Sequence, residues 1–471
     1  MSEIKLHRAL GFWESFATAV GLVVAGTTMV SLGNGFGLGG MAFMIPAFIA
    51  LIVSILIAFS YAELANMMPG AGMIGDYTAP ALGRLAAIFG VLGGYIVLVA
   101  AAGAMESVVA GLSLNDLWGV PVKPFAFALL ALFCIVNLLG VKFFGRVQLI
   151  ITVVMMATLT IFGVVGLLDI GGGTRLTDVA FNPNGWGNLS SLLAIGIWLY
   201  IGIEYVCPMS EEIKNPQRTI PKAMVTGLIA IFIADMLYGA ATLLYVDHEE
   251  LAVSAIPHLL GAEGIAGRTG LIWITIATVF ASASSIDSHL AAVPRMLYGL
   301  SREGMLPKAF SYLHPRFRTP WVGIFAVLVC LAVPVTLSIS IDLIMTLILV
   351  ACITWLLTYI MAQVDVIVLR RRYPNVPRSF KTPGYPVPQI IGIAAAVYMI
   401  ATIHPDPAMK YKIWLGALGV SAVVLAYGII WLKAKGMPLF TPVPLEAELE
   451  MIRQRSEDVI SDGGASRDSE V

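Results

Sequence analysis

Apolar runs of about 20 residues recur along the chain, and short segments that hold most of the charged residues separate them. A helix of about 20 apolar residues crosses the roughly 30 Å hydrocarbon core of a membrane. The pattern predicts an all-α membrane protein with about twelve transmembrane helices. The predicted spans cover residues 11–33, 41–67, 85–112, 124–141, 146–169, 189–210, 221–246, 271–300, 321–340, 342–369, 387–404 and 412–434.

The composition agrees with a lipid environment. Of the 471 residues, 58% are hydrophobic and only 12% are charged, whereas about a quarter of the residues of a soluble globular protein are charged. The lipid bilayer is therefore an expected partner, and nucleic acid is not. The four cysteines lack the paired spacing of zinc sites or disulfide frameworks, and we interpret them as packing residues. We expect neither a metal nor a cofactor.

Positive charges are distributed asymmetrically between the predicted loops. With the amino terminus placed inside, all but five of the 28 Lys and Arg residues fall on the inner side. The exceptions are Lys123, Arg175, Arg268, Lys410 and Lys412. Since cytoplasmic loops carry the excess of Lys and Arg, we expect a multi-pass protein of the cytoplasmic (inner) membrane with both termini in the cytoplasm. That orientation requires an even number of spans.

Small residues interrupt the first and sixth predicted spans, at Ala25 to Thr28 and at Gly196 and Gly202. Transporters built from inverted repeats break such helices so that backbone groups line a site near the membrane midplane. We therefore expect a 5+5 inverted repeat with broken helices 1 and 6, plus two additional C-terminal helices. The expected segments are a cytoplasmic N-terminus (1–10), the repeats (11–169 and 189–369), the last two spans (387–434) and a partly disordered cytoplasmic tail (435–471).

Four segments resemble the amino acid/polyamine/organocation (APC) superfamily of permeases. Residues 198–204 (WLYIGIE) resemble its broken sixth helix, and the pattern is closely similar in arginine/agmatine antiporters. The others are SEEIKNPQRTIP at 210–221, RMLY to REGMLP at 295–307 and AEL to PGAG at 62–72. The resemblance covers nearly the whole span region. It implies a transporter similar to amino acid permeases, putrescine importers and arginine/agmatine antiporters.

The resemblance implies substrate-binding residues in the first break. In amino acid carriers of this superfamily the break offers backbone amides to the substrate carboxylate, since half-helix dipoles favour anions. The usual Gly-Ser-Gly is replaced here by Ala25, Gly26, Thr27 and Thr28. Members that resemble putrescine importers depart in a similar way. Amino acids and small amines therefore both stay candidate substrates.

Ionisable side chains inside spans are costly and mark pathways, relays or counter-ions. By resemblance, Glu204 is the proton-sensing or amine-binding carboxylate, next to the Gly202 break; the alternative is a cap for the broken-helix amides. Glu106 lies on a small-residue face of helix 3, which lines the substrate pocket in this superfamily. Facing that pocket, Glu106 and Glu204 would together suit a cationic amine. The alternative for Glu106 is a packing residue.

The remaining polar and aromatic candidates carry further alternatives. Asp287 and His289 are candidates for a proton relay because histidine titrates near neutral pH; otherwise both are solvated near the cytoplasmic gate. We expect Asp235, in the seventh predicted span, either to pair with a hydroxyl group or to line the outer path. Trp198 and Tyr200 are candidate substrate-binding residues, and Trp198 can gate the pocket and offer a cation–π face to an ammonium group. Packing or interface anchoring is the alternative for both aromatic residues.

Ser284 and Ser285 on helix 8 are weak candidates for a sodium site shared with helix-1 carbonyls. Such a site needs about five or six oxygen ligands. Some proton-coupled relatives place a lysine of helix 5 at this position, and the matching residue here is Met155. Close helix packing is the alternative interpretation of the serines.

Together these observations predict a secondary active transporter that imports amino acids or small amines, including polyamines, by proton-coupled alternating access. A substrate/product antiporter and a sodium-coupled symporter are alternatives within the same fold. A channel or sensor is the alternative of a different class. An enzyme is not expected, because the sequence has no H-E-x-x-H motif or clustered Asp pair, and we assign no catalytic residue.

Overall fold

The computed structural model describes residues 6–179, 181–337, 341–404, 406–447 and 449–450, and every regular element in them is helical. The α-helices are α1 Phe12–Val23, α2 Gly26–Gly39, α3 Met44–Met67, α4 Ile74–Leu82, α5 Arg84–Phe89, α6 Ala104–Trp118, α7 Val122–Leu138, α8 Val141–Leu168, α9 Leu189–Trp198, α10 Pro216–Leu243, α11 His248–Val253, α12 Pro257–Arg302, α13 Trp321–Thr336, α14 Ile341–Arg372, α15 Val387–Ala401 and α16 Pro407–Ala434. Segments of 3₁₀-helix cover Gly40–Phe43, Trp186–Asn188, Ile203–Glu212 and Lys308–Ser311, and π-helix covers Gly90–Ile96 and Val99–Gly103. The all-α prediction is confirmed for this part of the chain.

Several helices begin where local chemistry favours a start. Proline occupies the first turn of α10 and α16, where its missing N–H and fixed φ cost nothing. Asp406 caps α16 by accepting the amides of Ala408 and Met409, and Asp247 caps α11 by accepting the amide of Glu249. These contacts satisfy donors that lack an acceptor within the helix.

The helices form a multi-pass membrane protein. Within the described residues, eight helical stretches are long and apolar enough to cross a membrane, and one of them, Gly26–Met67, contains both α2 and α3. Four shorter apolar helices, α1, α7, α13 and α15, accompany them. The count of twelve spans and the inverted repeat stay predictions.

Both predicted breaks are present, but the second lies at Gly202 alone, because Gly196 is part of α9. In the first, α1 ends at Val23 and α2 begins at Gly26, with an extended residue at Ala25 (φ −95°, ψ 166°). In the second, α9 ends at Trp198 and helical structure resumes as a 3₁₀-helix at residue 203, after Gly202 at φ 108°. A Cβ atom added to Gly202 would lie 2.7 Å from a side-chain carbon of Leu22. The two breaks therefore pack directly against each other.

Some span boundaries differ from the predictions. The third span is not one α-helix: α5 and α6 are separated by two π-helical segments, which are common at functional sites. The predicted span 271–300 is part of the longer α12, which is kinked at Ala266 and Gly267. Gly267 has φ 56°, a conformation that glycine adopts without steric cost. The predicted tail helix, 446–455, lies mostly outside the described residues.

Buried ion pairs join the helices at the end of the bundle that carries the basic loops. Arg295, on α12, donates to both carboxylate oxygens of Glu212 at 2.8 and 3.1 Å, and each side chain is only 1% exposed. The carbonyl of Glu212 accepts the amides of Ala9 and Leu10 from the start of the chain. Arg370 pairs with Glu63 at 2.6 Å. The contacts of Glu212 link the 3₁₀-helix after the second break to α12 and to the start of the chain, and the pair of Arg370 and Glu63 joins α14 to α3.

We expect Arg295→Ala to lower stability by about 3–5 kcal/mol, because it leaves the carboxylate of Glu212 buried without its partner. Thermal unfolding of the detergent-purified protein measures the effect. Arg371→Ala is the matched control, since Arg371 is exposed, and it should change the melting temperature little. Equal melting temperatures for the two variants would contradict a stabilising role of the pair.

Candidate functional site

A cavity of about 400 Å³, part of it open to solvent, lies where the two breaks meet. It is lined by Leu22, Ala25, Thr27, Thr28, Leu98, Ala102, Glu106, Trp198, Ile201, Ser285, His289 and Trp355. Seven of these residues were selected from the sequence: Ala25, Thr27, Thr28, Glu106, Trp198, Ser285 and His289. Trp198, at the end of α9, is half-buried and lies in the wall of the cavity.

Glu106 binds the first break. Its Oε2 accepts the amide of Gly26 at 3.1 Å and the hydroxyl of Ser282 at 3.1 Å. Its Oε1 accepts the hydroxyl of Thr27 at 2.7 Å and, at the longer distance of 3.4 Å, the amide of Thr27. A Cβ atom on Gly26 would lie 2.9 Å from the Ser282 hydroxyl and 3.2 Å from Glu106. Glycine at this position therefore permits the close approach.

Glu204 lies behind the cavity wall. It is 0% exposed and accepts hydrogen bonds from Tyr95 at 3.2 Å, from the indole of Trp355 at 3.1 Å and from Tyr359 at 2.7 Å. The hydroxyl of Tyr359 also accepts the amide of Gly202 at 3.1 Å. Tyr359 therefore connects the second break to the carboxylate. Glu204 and Glu106 do not form two open anionic points in one cavity, since only Glu106 lines it.

Tyr200 and Asp235 lie outside the cavity wall. Tyr200 is 1% exposed and Asp235 is 3% exposed. The Tyr200 hydroxyl and the Asp235 Oδ2 atom have no hydrogen-bond partner among the described residues. The structure thus separates Tyr200 from Trp198, although both residues precede the same break.

Asp287 and His289 contact different parts of the bundle. His289 lines the cavity, and its Nδ1 is 3.2 Å from the hydroxyl of Tyr205. Asp287 instead accepts the side-chain amide of Asn137, on α7, at 2.6 Å. His289 is 2% exposed and Asp287 is 0% exposed, so neither lies in bulk solvent. The two residues do not form one hydrogen-bonded relay.

An amide group occupies the region expected for sodium. The Nε2 atom of Gln148, on α8, lies 2.8 Å from the Ser284 hydroxyl, 3.1 Å from the Ser288 hydroxyl, 3.4 Å from the Ala17 carbonyl and 3.5 Å from the Ser284 carbonyl. A Cβ atom on Gly21 would lie 1.7 Å from this nitrogen. Gly21 therefore makes room for the amide. Because carbonyls only accept hydrogen bonds, the nitrogen rather than the oxygen faces them.

Sequence reasoning missed several residues that complete these contacts. Gln148 lies two helical turns before Met155, the position that was compared with the lysine of relatives. Trp355 and Tyr359 are four residues apart on α14 and therefore share a helix face. Two features of the sequence could have indicated these residues: a glutamine within an apolar span, and an aromatic pair on one face of a helix. Within the described residues, no group of three His, Cys, Asp or Glu side chains could hold a metal ion.

A cavity at two facing helix breaks, inside a bundle of apolar helices, is the architecture of a membrane transporter. The comparisons with known proteins agree. The family model described as "Amino acid permease" matches residues 10–423, and the chain belongs to that family. The predicted resemblance and transporter class are confirmed.

Individual relatives differ in what they are named for. The branched-chain amino acid permease BcaP of Bacillus subtilis (strain 168) is 25% identical over 450 residues, which cover 88% of this chain and 92% of that protein. The methylthioribose transporter of the same organism is 25% identical over 439 residues, covering 87% and 91%. Its serine/threonine exchanger SteT is 23% identical over 390 residues, covering 79% and 85%. Family membership therefore leaves the substrate open.

We expect sodium not to stabilise the protein, because the Gln148 amide already fills the space between the helix carbonyls and the serine hydroxyls. Melting temperatures of the purified protein in sodium and potassium chloride at equal ionic strength should be the same, since only a ligand that binds the folded state raises them. A concentration-dependent rise with sodium alone would contradict this interpretation.

Proposed function

We propose that the chain is a secondary active transporter that imports amino acids or small amines across the cytoplasmic membrane by alternating access. Both termini lie in the cytoplasm, and residues 11–169 and 189–369 form the two inverted repeats. The substrate binds at the breaks of the first and sixth spans, where Trp198 closes over it. Import is driven by a proton that Glu204 takes up and releases.

The observation that carries this proposal is the environment of Glu204. Its carboxylate is fully buried and accepts three hydrogen bonds from aromatic side chains, and within the described residues no ion pair involves it. An ionised carboxylate without a cationic partner is costly inside a membrane protein, so Glu204 is suited to take up a proton during transport. Trp355 lines the cavity and donates to Glu204. A substrate that moves Trp355 changes the hydrogen bonding of the carboxylate.

A second structural observation bears on whether the coupling ion is a proton or sodium. We favour the proton over sodium because the amide of Gln148 lies among the oxygens that would bind sodium. An amide is neutral and is part of the chain, so it needs no ion to occupy this position. Glu204, in contrast, is a titratable group one hydrogen bond away from a residue of the cavity wall.

We expect Glu204→Gln to abolish the pH dependence of uptake, because glutamine keeps the size of the side chain but cannot exchange a proton. In proteoliposomes, an inward proton gradient should accelerate uptake by the wild type and have no effect on the variant. Counterflow, which needs no net proton movement, should persist at a reduced rate.

Asp235→Asn is the matched control, since Asp235 is another buried carboxylate but lies outside the cavity wall. It should keep the wild-type response to the gradient. A Glu204→Gln variant whose gradient response equals that of the wild type would remove Glu204 from the coupling mechanism. Absence of saturable counterflow by the wild type with every candidate substrate would overturn the transporter itself.

A further inference from the structure

The structure points to a substrate class narrower than the family name: we propose that the transported molecule is a small amine that carries no carboxylate group. This inference rests on the transport function proposed above and defines its substrate. It starts from Glu106, whose carboxylate is held against the backbone amides of the first break.

The chain itself already provides acceptors for the amides of this break. The first N–H groups of a helix have no acceptor within that helix, and α2 begins at Gly26. The amides of residues 28–29 donate to the carbonyl of Ala25 at 3.1 and 3.2 Å. The two preceding amides, of Gly26 and Thr27, donate to Glu106. A carboxylate of a bound ligand would therefore find no amide from residue 26 to residue 29 available.

Glu106 thus takes the place that a ligand carboxylate would occupy at the positive end of α2. The hydroxyls of Thr27 and Ser282 bring the hydrogen bonds to Glu106 to four, and an ionised carboxylate has about four acceptor sites. The four hydrogen bonds favour the ionised form of Glu106, burial opposes it, and no positive residue adds to the hydrogen bonds. In the described part of the chain, no ion pair within 4.0 Å involves Glu106.

The negative charge of Glu106 discriminates between ligands that carry a carboxylate group and ligands that do not. A ligand with its own carboxylate would either approach Glu106, where like charges repel strongly in a medium of low dielectric constant, or displace it from four hydrogen bonds. A ligand with an ammonium group and no carboxylate meets neither obstacle. Its positive charge compensates for Glu106, which otherwise lies unpaired in the wall of the cavity.

Other groups of the cavity wall also favour an ammonium group. α1 ends at Val23 beside the cavity, and the C-terminal end of a helix carries partial negative charge. Trp198 and Trp355 offer aromatic rings, which attract ammonium groups. His289 is the other titratable residue of the wall, and its Nδ1 contacts the hydroxyl of Tyr205.

Matched pairs of compounds test the proposal, each pair being an amino acid and the amine left when its carboxylate is removed. Suitable pairs are serine and ethanolamine, valine and isobutylamine, ornithine and putrescine, and arginine and agmatine. Thermal unfolding of the full-length protein in detergent reports binding, and counterflow in proteoliposomes reports transport. We expect at least one amine to bind about tenfold or more tightly than its amino acid, a difference of about 1.4 kcal/mol.

Two substitutions of Glu106 test whether this residue causes the preference for amines. Glu106→Ala removes the charge and frees the two amides, so it should weaken amine binding about tenfold or more and improve binding of the paired amino acid. Glu106→Gln removes the charge alone and should weaken the amine. Ser107→Ala is the control on the same helix, because the Ser107 hydroxyl donates only to the carbonyl of Ala104. It should keep the wild-type preference.

The outcomes separate the two proposals. If the wild type binds and transports the amino acids in preference to their amines, the inference on substrate class is wrong and the transporter stands. A preference for amines that survives Glu106→Ala contradicts the role of Glu106. If no compound of either set shows counterflow, the proposed function fails and the inference fails with it. The wild-type comparison needs no variant, so misfolding of a Glu106 variant leaves it decisive.

Discussion

Inside a membrane, a backbone N–H or C=O group without a partner costs several kcal/mol, since no water is present to replace it. A helix break is therefore possible only where other groups of the protein, or water in a cavity, supply the missing hydrogen bonds. In this chain the carboxylate of Glu106 accepts the amides of the first break, and the hydroxyl of Tyr359 accepts the amide of Gly202 in the second. These partners satisfy amides of both breaks, and the cavity lies where the breaks meet.

The two buried carboxylates consequently have different surroundings. Glu106 lines the cavity and is bonded to backbone amides and hydroxyls, whereas Glu204 lies one layer behind and is bonded to three aromatic side chains. Both carboxylates are buried without an ion-pair partner among the described residues, and they differ in the groups that donate to them. Trp355 is the physical link, since it contacts both the cavity and Glu204.

The fifth predicted span, α8, shows that matching a residue to relatives by its position alone can be misleading. Met155, the residue matched to the lysine of some relatives, is fully buried, whereas Gln148 supplies the polar group between α1 and α12. A shift of seven residues is two turns of helix and keeps the same face. The face was therefore predictable from the sequence, but the depth at which α8 meets its neighbours was not.

The sequence by itself determined the helical class, the positions of both breaks and most residues of the cavity wall. Those features are local: apolar length decides which segments enter the membrane, and glycine is favoured where the backbone takes a φ as positive as the 108° of Gly202. Only the tertiary structure decided that Glu106 bonds the first break, that Glu204 lies behind Trp355 and Tyr359, and that Tyr200 lies outside the wall. These facts depend on how far each helix is rotated and shifted against partners that are remote along the chain. Apolar spans are hydrophobic on every face, so their pattern contains no record of that rotation.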